Sequence, residues 1–436
     1  MNHHEPALAG RQVARRAADP QVVSRAIAAA GRARVSDLPP WRPASLAQGH
    51  AGLAVLCAEL DAAEQGAGWD RAGHHHLTAA VAMVSPHDAS LFSGLAGLGF
   101  AATILAAGRS RYERLLTQVD EALAPLVDRG LRRLAAASGC RVGEFDLVSG
   151  LTGTGVYLLT RHQVRVTESG QAMLGRVLRG LIELTADPCH PRRWHTPAAL
   201  AAGPLRDGFP GGLHNCGLAH GVPGPLALLS LAVLSGVRAP GAAEAIHSSA
   251  SWLAEHATGT AREPDWPDGV PLDADRRPPA TPDGTSTGPG RAAWCYGAPG
   301  VARSLWLAGC AVAEPRWQEL AIRAIRAVAA RPEQAWGLAT PAFCHGRAGL
   351  LQVLRRFAAD LADPEIESAA RRLAASLAAE FDPAALLGVR SAEPDGTPAD
   401  QPGLLDGAAG VALALLGRPQ ARYAPRPAWD RMFLLA

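Results

Sequence analysis

The sequence predicts an all-α chain folded as an α/α toroid, a double ring of seven inner and seven outer helices. Three observations lead there. A Gly-x-x-Gly element recurs seven times; each copy is followed by an apolar stretch; each is preceded by a one-sided amphipathic stretch. Strand signals are sparse. A fixed local context repeated along a chain of 436 residues marks a repeat architecture, so residues 1–436 are read as a single domain of helical hairpins rather than several domains.

In chain order the elements begin at Gly49-His50-Ala51-Gly52, Gly94-Leu95-Ala96-Gly97 and Gly150-Leu151-Thr152-Gly153. They continue with Gly221-Val222-Pro223-Gly224, Gly297-Ala298-Pro299-Gly300, Gly346-Arg347-Ala348-Gly349 and Gly407-Ala408-Ala409-Gly410. The run from Leu226 to Leu234 is apolar on every face, which marks a helix buried all round. Tyr112 to Leu123 instead places Leu115, Leu116, Val119 and Leu123 on one face. Arg316 to Val328 sets Leu320, Ala321, Ala324, Ile325 and Val328 against Glu319, Arg323 and Arg326. Similar stretches cover 20–34, 68–84, 168–186, 240–257 and 364–380. The glycines mark the turn into each inner helix, where backbones crowd and a Cβ would clash. Pro223 and Pro299 suit a helix's first turn. The extra length between repeats falls in two loops, roughly 187–215 and 258–292, which are expected to rim a cavity. Gly94 to Gly99 has its glycines in the wrong order for a dinucleotide fingerprint and no strand before it.

The net charge of +2 is spread without blocks, which argues against nucleic acid as a partner, because phosphate binding needs clustered Lys and Arg. The N-terminal residues lack the apolar region of a signal peptide. The uncharged run Ala89 to Gly108 sits inside the repeat pattern and holds several glycines, so it is read as buried helix and no integral membrane segment is expected. Seven cysteines at irregular spacing do not look like a disulfide framework; a reduced, cytoplasmic setting fits better.

Cys344-His345, just ahead of the sixth Gly-x-x-Gly, pairs a soft with a borderline metal ligand. Cys295 occupies the equivalent place in the repeat before it. Two thiolates and one imidazole would leave a tetrahedral Zn²⁺ one open position, and thiolate softness favours zinc over Mg²⁺ or Ca²⁺. Against this stands the bland reading of a cysteine as a small buried hydrophobe. Cys57 and Cys310 fall within inner helices and are read as core, Cys189 as a non-ligand, and Cys216 as a weaker ligand candidate than Cys295. The triplet His74-His75-His76 is read as a solvated cluster on an outer helix.

The stretches Asn215-Cys216-Gly217-Leu218-Ala219-His220-Gly221-Val222-Pro223-Gly224, Trp294-Cys295-Tyr296-Gly297 and Cys344-His345-Gly346-Arg347-Ala348-Gly349 together resemble the signature set of the lanthipeptide (lantibiotic) cyclases, the LanC family. The ending Trp429-Asp430-Arg431 is similar to that family's C-terminus. The resemblance implies a zinc-dependent enzyme with one Zn²⁺ per chain, which adds peptide Cys thiols to dehydroalanine and dehydrobutyrine in a precursor peptide. A dehydratase would prepare that peptide and is the implied protein partner. By motif, Cys295, Cys344 and His345 correspond to the zinc ligands and His220 to the acid/base, with Arg291, Tyr296 and Asp146 at further active-site positions.

The chemistry asks for such groups. Addition of a thiol places charge on an enamide carbonyl, and the enolate must be protonated. His220 suits that step near neutral pH, Asp146 could orient its ring, and Arg291 could stabilise the oxyanion. The ordinary alternatives are a wall residue for His220, an N-cap for Asp146, a loop salt bridge for Arg291 and simple packing for Tyr296. His50 and Asp406 occupy equivalent turns, where lining or capping is the ordinary role. Three rival functions stay open. One is addition of free glutathione to dehydroamino acids, as in LanC-like proteins. A second is a zinc-stabilised peptide-binding scaffold without catalysis. The third, a prenyltransferase-type zinc barrel, would need a diphosphate-binding cluster of Lys and Arg that the inner turns lack.

Overall fold

The computed structural model describes residues 4–33, 41–186, 193–201, 203–272, 290–392, 398–417 and 427–436. Cys189 and parts of both long loops, 187–192, 202 and 273–289, lie outside the described residues. The helices in chain order are α1 (His4–Ala18), α2 (Pro20–Ala33), α3 (His50–Ala63), α4 (Trp69–Met83), α5 (Leu95–Ala106), α6 (Glu113–Ala136), α7 (Val142–Phe145), α8 (Leu151–Val164) and α9 (Glu168–Ala186). They continue with α10 (Pro204–Gly208), α11 (Pro223–Leu234), α12 (Ala242–Glu255), α13 (Ala298–Ala311), α14 (Pro315–Ala330), α15 (Arg347–Leu361), α16 (Pro364–Ala378) and α17 (Ala408–Leu416). Among these residues no helix is long and apolar enough to cross a membrane.

Each predicted Gly-x-x-Gly opens one of α3, α5, α8, α11, α13, α15 and α17, and each predicted amphipathic stretch becomes one of α2, α4, α6, α9, α12, α14 and α16. Two of the outer helices, α14 and α16, start on an acidic side-chain cap. Asp363 caps α16 by accepting from the backbone N–H of Glu365 and Ile366, ahead of Pro364. The helices after Gly-x-x-Gly have no side-chain cap; a glycine stands there because the chain folds back on itself. A Cβ on Gly221 would lie 2.1 Å from the Asn215 carbonyl oxygen, and one on Gly407 would lie 2.2 Å from that of Gln401. Gly297 adds a φ of 96°, so a side chain there is strained as well as blocked, 1.8 Å from the Arg291 oxygen.

The chain divides into two compact units, Met1–Leu123 with Leu338–Arg431, and Ala124–Gly337 with Met432–Ala436. In the first, α3 packs on α5 and α17, and α17 packs on α15; α4 and α16 cover them. Backbone bonds lace its turns in order. The N–H groups of Phe343 and Cys344 donate to Leu405 O, those of Leu404 and Leu405 to Ala47 O, and that of Ala47 to Phe92 O. α5 is buried from Leu95 to Ala106, as the uncharged run requires.

α1 was not anticipated as a helix. It packs on α17 and α16 through Ala9, Val13, Ala14, Ala17 and Ala18. An alanine stripe among arginines carries little hydrophobic signal, which is why the segment reads as merely basic.

The His74–His76 triplet also needs correction. His74 and His75 are exposed, but His76 is fully buried. It falls on the stripe Gly73, His76, Leu77, Ala80 that α4 turns inward. Its Nε2 lies 3.1 Å from Ala18 O and its Nδ1 3.0 Å from Nδ1 of His50. The carbonyl can only accept, so Nε2–H donates to it, and His50 donates to His76 Nδ1. Burial pushes His76 down to about 4, followed by His50 and His75, against the Ala18 carbonyl and Asp19, which raise it. A histidine with a depressed folded pKa leaves stability unaffected above its unfolded value of about 6.5 and removes it as pH falls towards 4. The loss expected from His76 at pH 5 is ~2 kcal/mol. Urea midpoints at pH 7.5 and 5 should therefore diverge in the parent, and His76→Gln should narrow the gap. An unchanged gap would remove His76 as the acid-sensitive group.

In the second unit α11 packs between α8 and α13, with α9, α12 and α14 against them. Leu147 N–H donates to Ala219 O and Ala219 N–H to Cys295 O, the same lacing of consecutive turns. Three short strands, Thr196–Pro197, Gly212–Asn215 and Gly269–Pro271, form an antiparallel sheet in that order. Its register pairs Asn215 with Gly269 and Leu213 with Thr196. Both long loops thus attach to the strand that leads into the His220 turn.

Candidate active site

The lacing of the second unit brings three sequence-predicted groups together. Asp146 follows α7 and is almost fully buried. Its Oδ1 accepts from the backbone N–H of Ser149 (2.7 Å) and Gly150 (2.9 Å), which anchors it to the start of α8. Its Oδ2 lies 2.6 Å from Nδ1 of His220. One carboxylate oxygen thus ties down the Ser149–Gly150 turn ahead of α8, and the other faces the imidazole. With Nδ1–H donating to the carboxylate, Nε2 is left to exchange a proton. The His220 side chain is 35% exposed, so that nitrogen is not sealed in the core.

Tyr296 lies beside this dyad, its ring centroid 6.2 Å from that of His220. Its hydroxyl accepts from Asn215 Nδ2 at 3.0 Å. Burial raises its pKa well above the usual phenol range; Asn215 opposes the rise, while Cys295, Asp268 and Asp146 add to it. Tyr296 therefore stays a phenol, and because its oxygen already accepts an N–H, its own O–H is left to donate. Cys295, the residue before it, is 5% exposed and tied through its carbonyl to the His220 turn.

Arg291 is exposed, lies against Gly337, and makes no hydrogen bond or ion pair among the described residues. The salt bridge suggested as its ordinary role is not seen there. Among the described residues no hydrogen bond or ion pair joins it to His220 or Tyr296.

Two contributors were missed by the sequence reading. Asn215 accepts from Gly217 N–H through Oδ1 (2.9 Å) while holding Tyr296 through Nδ2. Gly217 leaves room for Tyr296: a Cβ there would meet Cε1 of that ring at 2.6 Å and Cys295 O at 2.7 Å. The available signal was position. Asn215 stands six residues before Gly221, as Arg291 does before Gly297, and only Arg291 received a role.

Among the described residues, Cys295, Cys344 and His345 are the one group of three that could hold a metal ion, with donor atoms all within 4.8 Å of one another. Two sulfurs and an imidazole nitrogen at Zn–S of about 2.3 Å and Zn–N of about 2.0 Å are compatible with that spacing, so the donor set fits zinc. Three other described thiols are poor competitors. Burial pushes Cys57 and Cys140 up to about 12 and Cys216 higher still, so they remain protonated.

A family model described as lanthionine synthetase C-like protein matches residues 40–434. The chain belongs to that family. Among lanthionine synthetase C-like relatives, the nisin biosynthesis protein NisC of Lactococcus lactis subsp. lactis is 21% identical over 322 residues, 72% of this chain and 73% of that protein. The solved structure of nisin cyclase superposes with a TM-score of 0.75 at 20% identity, covering 95% of this chain and 96% of the other. That likeness shows the fold, the α/α toroid expected from the repeats.

Proposed function

We propose that this chain is a zinc-dependent lanthipeptide cyclase, which closes (methyl)lanthionine thioether rings in a dehydrated precursor peptide. The observation that carries the reading is a histidine held by a buried carboxylate one laced turn away from Cys295, a member of the soft-metal donor group. Membership of the lanthionine synthetase C-like family and the name of the nisin relative support it. On this reading both units belong to one cyclase domain. It works in the reduced cytoplasm beside a dehydratase that supplies its substrate.

Cys295, Cys344 and His345 would hold the ion, their two thiolates balancing its charge. When bound, zinc lowers the pKa of an incoming thiol so that it reacts as thiolate. In the addition, a bond forms from sulfur to the β-carbon of the dehydroamino acid. The π pair moves towards the carbonyl, giving an enolate, and the thiol's proton is released. His220, protonated and held at Nδ1 by Asp146, delivers a proton from Nε2 to the α-carbon. The Tyr296 O–H donates to the developing oxyanion, with Asn215 setting its direction. Arg291 adds positive charge if the substrate brings the oxyanion within its reach.

The test is turnover. Purified chain with zinc and a dehydrated Cys-containing peptide should remove free peptide thiols without changing peptide mass, scored by alkylation and mass spectrometry. Glutathione adducts in place of intramolecular rings would favour the free-thiol alternative. Retained zinc with no loss of thiols would favour the scaffold.

A further inference from the structure

The last eight residues pack beside the turns that carry both cysteines of the donor group. In the second unit, Trp294, which precedes Cys295, donates its indole N–H to Phe433 O at 3.0 Å. The Trp294 ring also meets Phe433 edge to face at 4.9 Å. Leu435 O accepts from Nε (2.9 Å) and Nη2 (2.6 Å) of Arg303, a buried residue of α13, the helix that the Cys295 turn opens. In the first unit, Trp429 packs edge to face on Phe343, the residue before Cys344, at 5.8 Å. There Asp430 accepts from Gln352 (2.6 Å) and from Nε (2.6 Å) and Nη2 of Arg356, both on α15, the helix that the Cys344-His345 turn opens.

The pattern is the same in each unit. The tail grips the aromatic residue just before a cysteine and a polar side chain on the helix just after it. Phe433, Leu434, Leu435 and Asp430 are fully buried. Neither aromatic is needed merely to fill the position. The equivalent place, three residues before the first glycine, is leucine in the other five repeats: Leu46, Leu91, Leu147, Leu218 and Leu404. The two repeats with cysteine at the next position, two before the first glycine, are the two with an aromatic there, and those aromatics are the ones the tail touches.

We propose that the C-terminal segment Trp429–Ala436 is a positioning device that holds the Cys295 and Cys344 turns in the geometry the ion requires. Its residues act through Trp294 and Phe343. For metal affinity this inference rests on the zinc reading. The placement of Cys295 can be measured without it.

The decisive variant is Trp294→Phe, which keeps the ring and removes the N–H that reaches Phe433 O. Trp266→Phe is the control: it loses an equivalent buried bond, from its indole N–H to Leu253 O at 2.8 Å, away from the cysteine turns. Two quantities are read in each full-length variant. The first is the alkylation rate of Cys295 in zinc-free protein, followed by mass spectrometry. Trp294→Phe should raise it about tenfold, because lost bonds outside a site loosen the groups they orient, and Trp266→Phe should leave it unchanged. The second is the zinc dissociation constant, which should weaken about 10–100-fold in Trp294→Phe only. Equal alkylation rates in parent and Trp294→Phe, or equal changes in the two variants, would overturn the proposal. If the parent binds no zinc, the metal reading fails, and the alkylation rates decide the proposal alone.

Discussion

Replacing Cys295 with alanine is expected to weaken zinc binding by more than about 100-fold, because even the outer partners of metal ligands typically contribute 10–100-fold. The variant should leave gel filtration nearly free of zinc, whereas the parent should carry one ion per chain. Cys344→Ala should do the same, since the donor group contains both sulfurs. Turnover should fall with the metal. Chelation of the parent should abolish activity reversibly, and zinc should not restore the Cys295 variant. Cys216→Ala is the informative control. Cys216 lies four residues before His220 in the same laced turns, yet burial holds its thiol protonated, and its Sγ faces His214 O at 3.8 Å. It should keep its zinc, as should Cys189→Ala. A Cys295→Ala protein with a full complement of zinc would mean that the ligand set is wrong.

Much of this was legible in the sequence because the repeat turns are sterically demanding. Only glycine tolerates a neighbouring carbonyl where a Cβ would sit, so the turns announce themselves seven times. The same regularity aligns Cys295 with Cys344 and His220 with Tyr296 and His345 by counting from the first glycine of each repeat. What counting does not give is direction. His76 sits in a polar-looking triplet, and only the stripe through Gly73, Leu77 and Ala80 shows that it faces inward. α1 buries alanines, whose small apolar area barely registers against Arg11, Arg15 and Arg16. Asn215 looks like a strand residue until its two side-chain bonds to Gly217 and Tyr296 are seen, because its partners lie in different repeats. Cross-repeat contacts are set by packing, and a single sequence carries no direct record of them.

His220→Asn should separate proton delivery from metal binding. His220 is outside the donor group, so the variant should retain zinc, in contrast to Cys295→Ala. Ring closure should slow by roughly 10²–10⁴-fold, the usual contribution of a positioned acid or base. The geometry sharpens this into a comparison with Asp146. Asp146→Ala removes both functions of the carboxylate, the bonds from Ser149 and Gly150 as well as the bond from His220. It should lose ~1–2 kcal/mol of stability along with activity. Asp146→Asn keeps an oxygen for the α8 turn but cannot accept through both atoms, so it should stay nearly as stable while leaving the imidazole wrongly oriented. Heavy water supplies the final readout. The parent should place deuterium at the α-carbon with one handedness, because the proton arrives from one side of a fixed pocket. His220→Asn should stall or yield both hands as solvent substitutes for the ring. If His220→Asn closes rings at near-parental rate with unchanged stereochemistry, the acid lies elsewhere, and Tyr296, a phenol with its hydrogen free to donate, is the next group to replace.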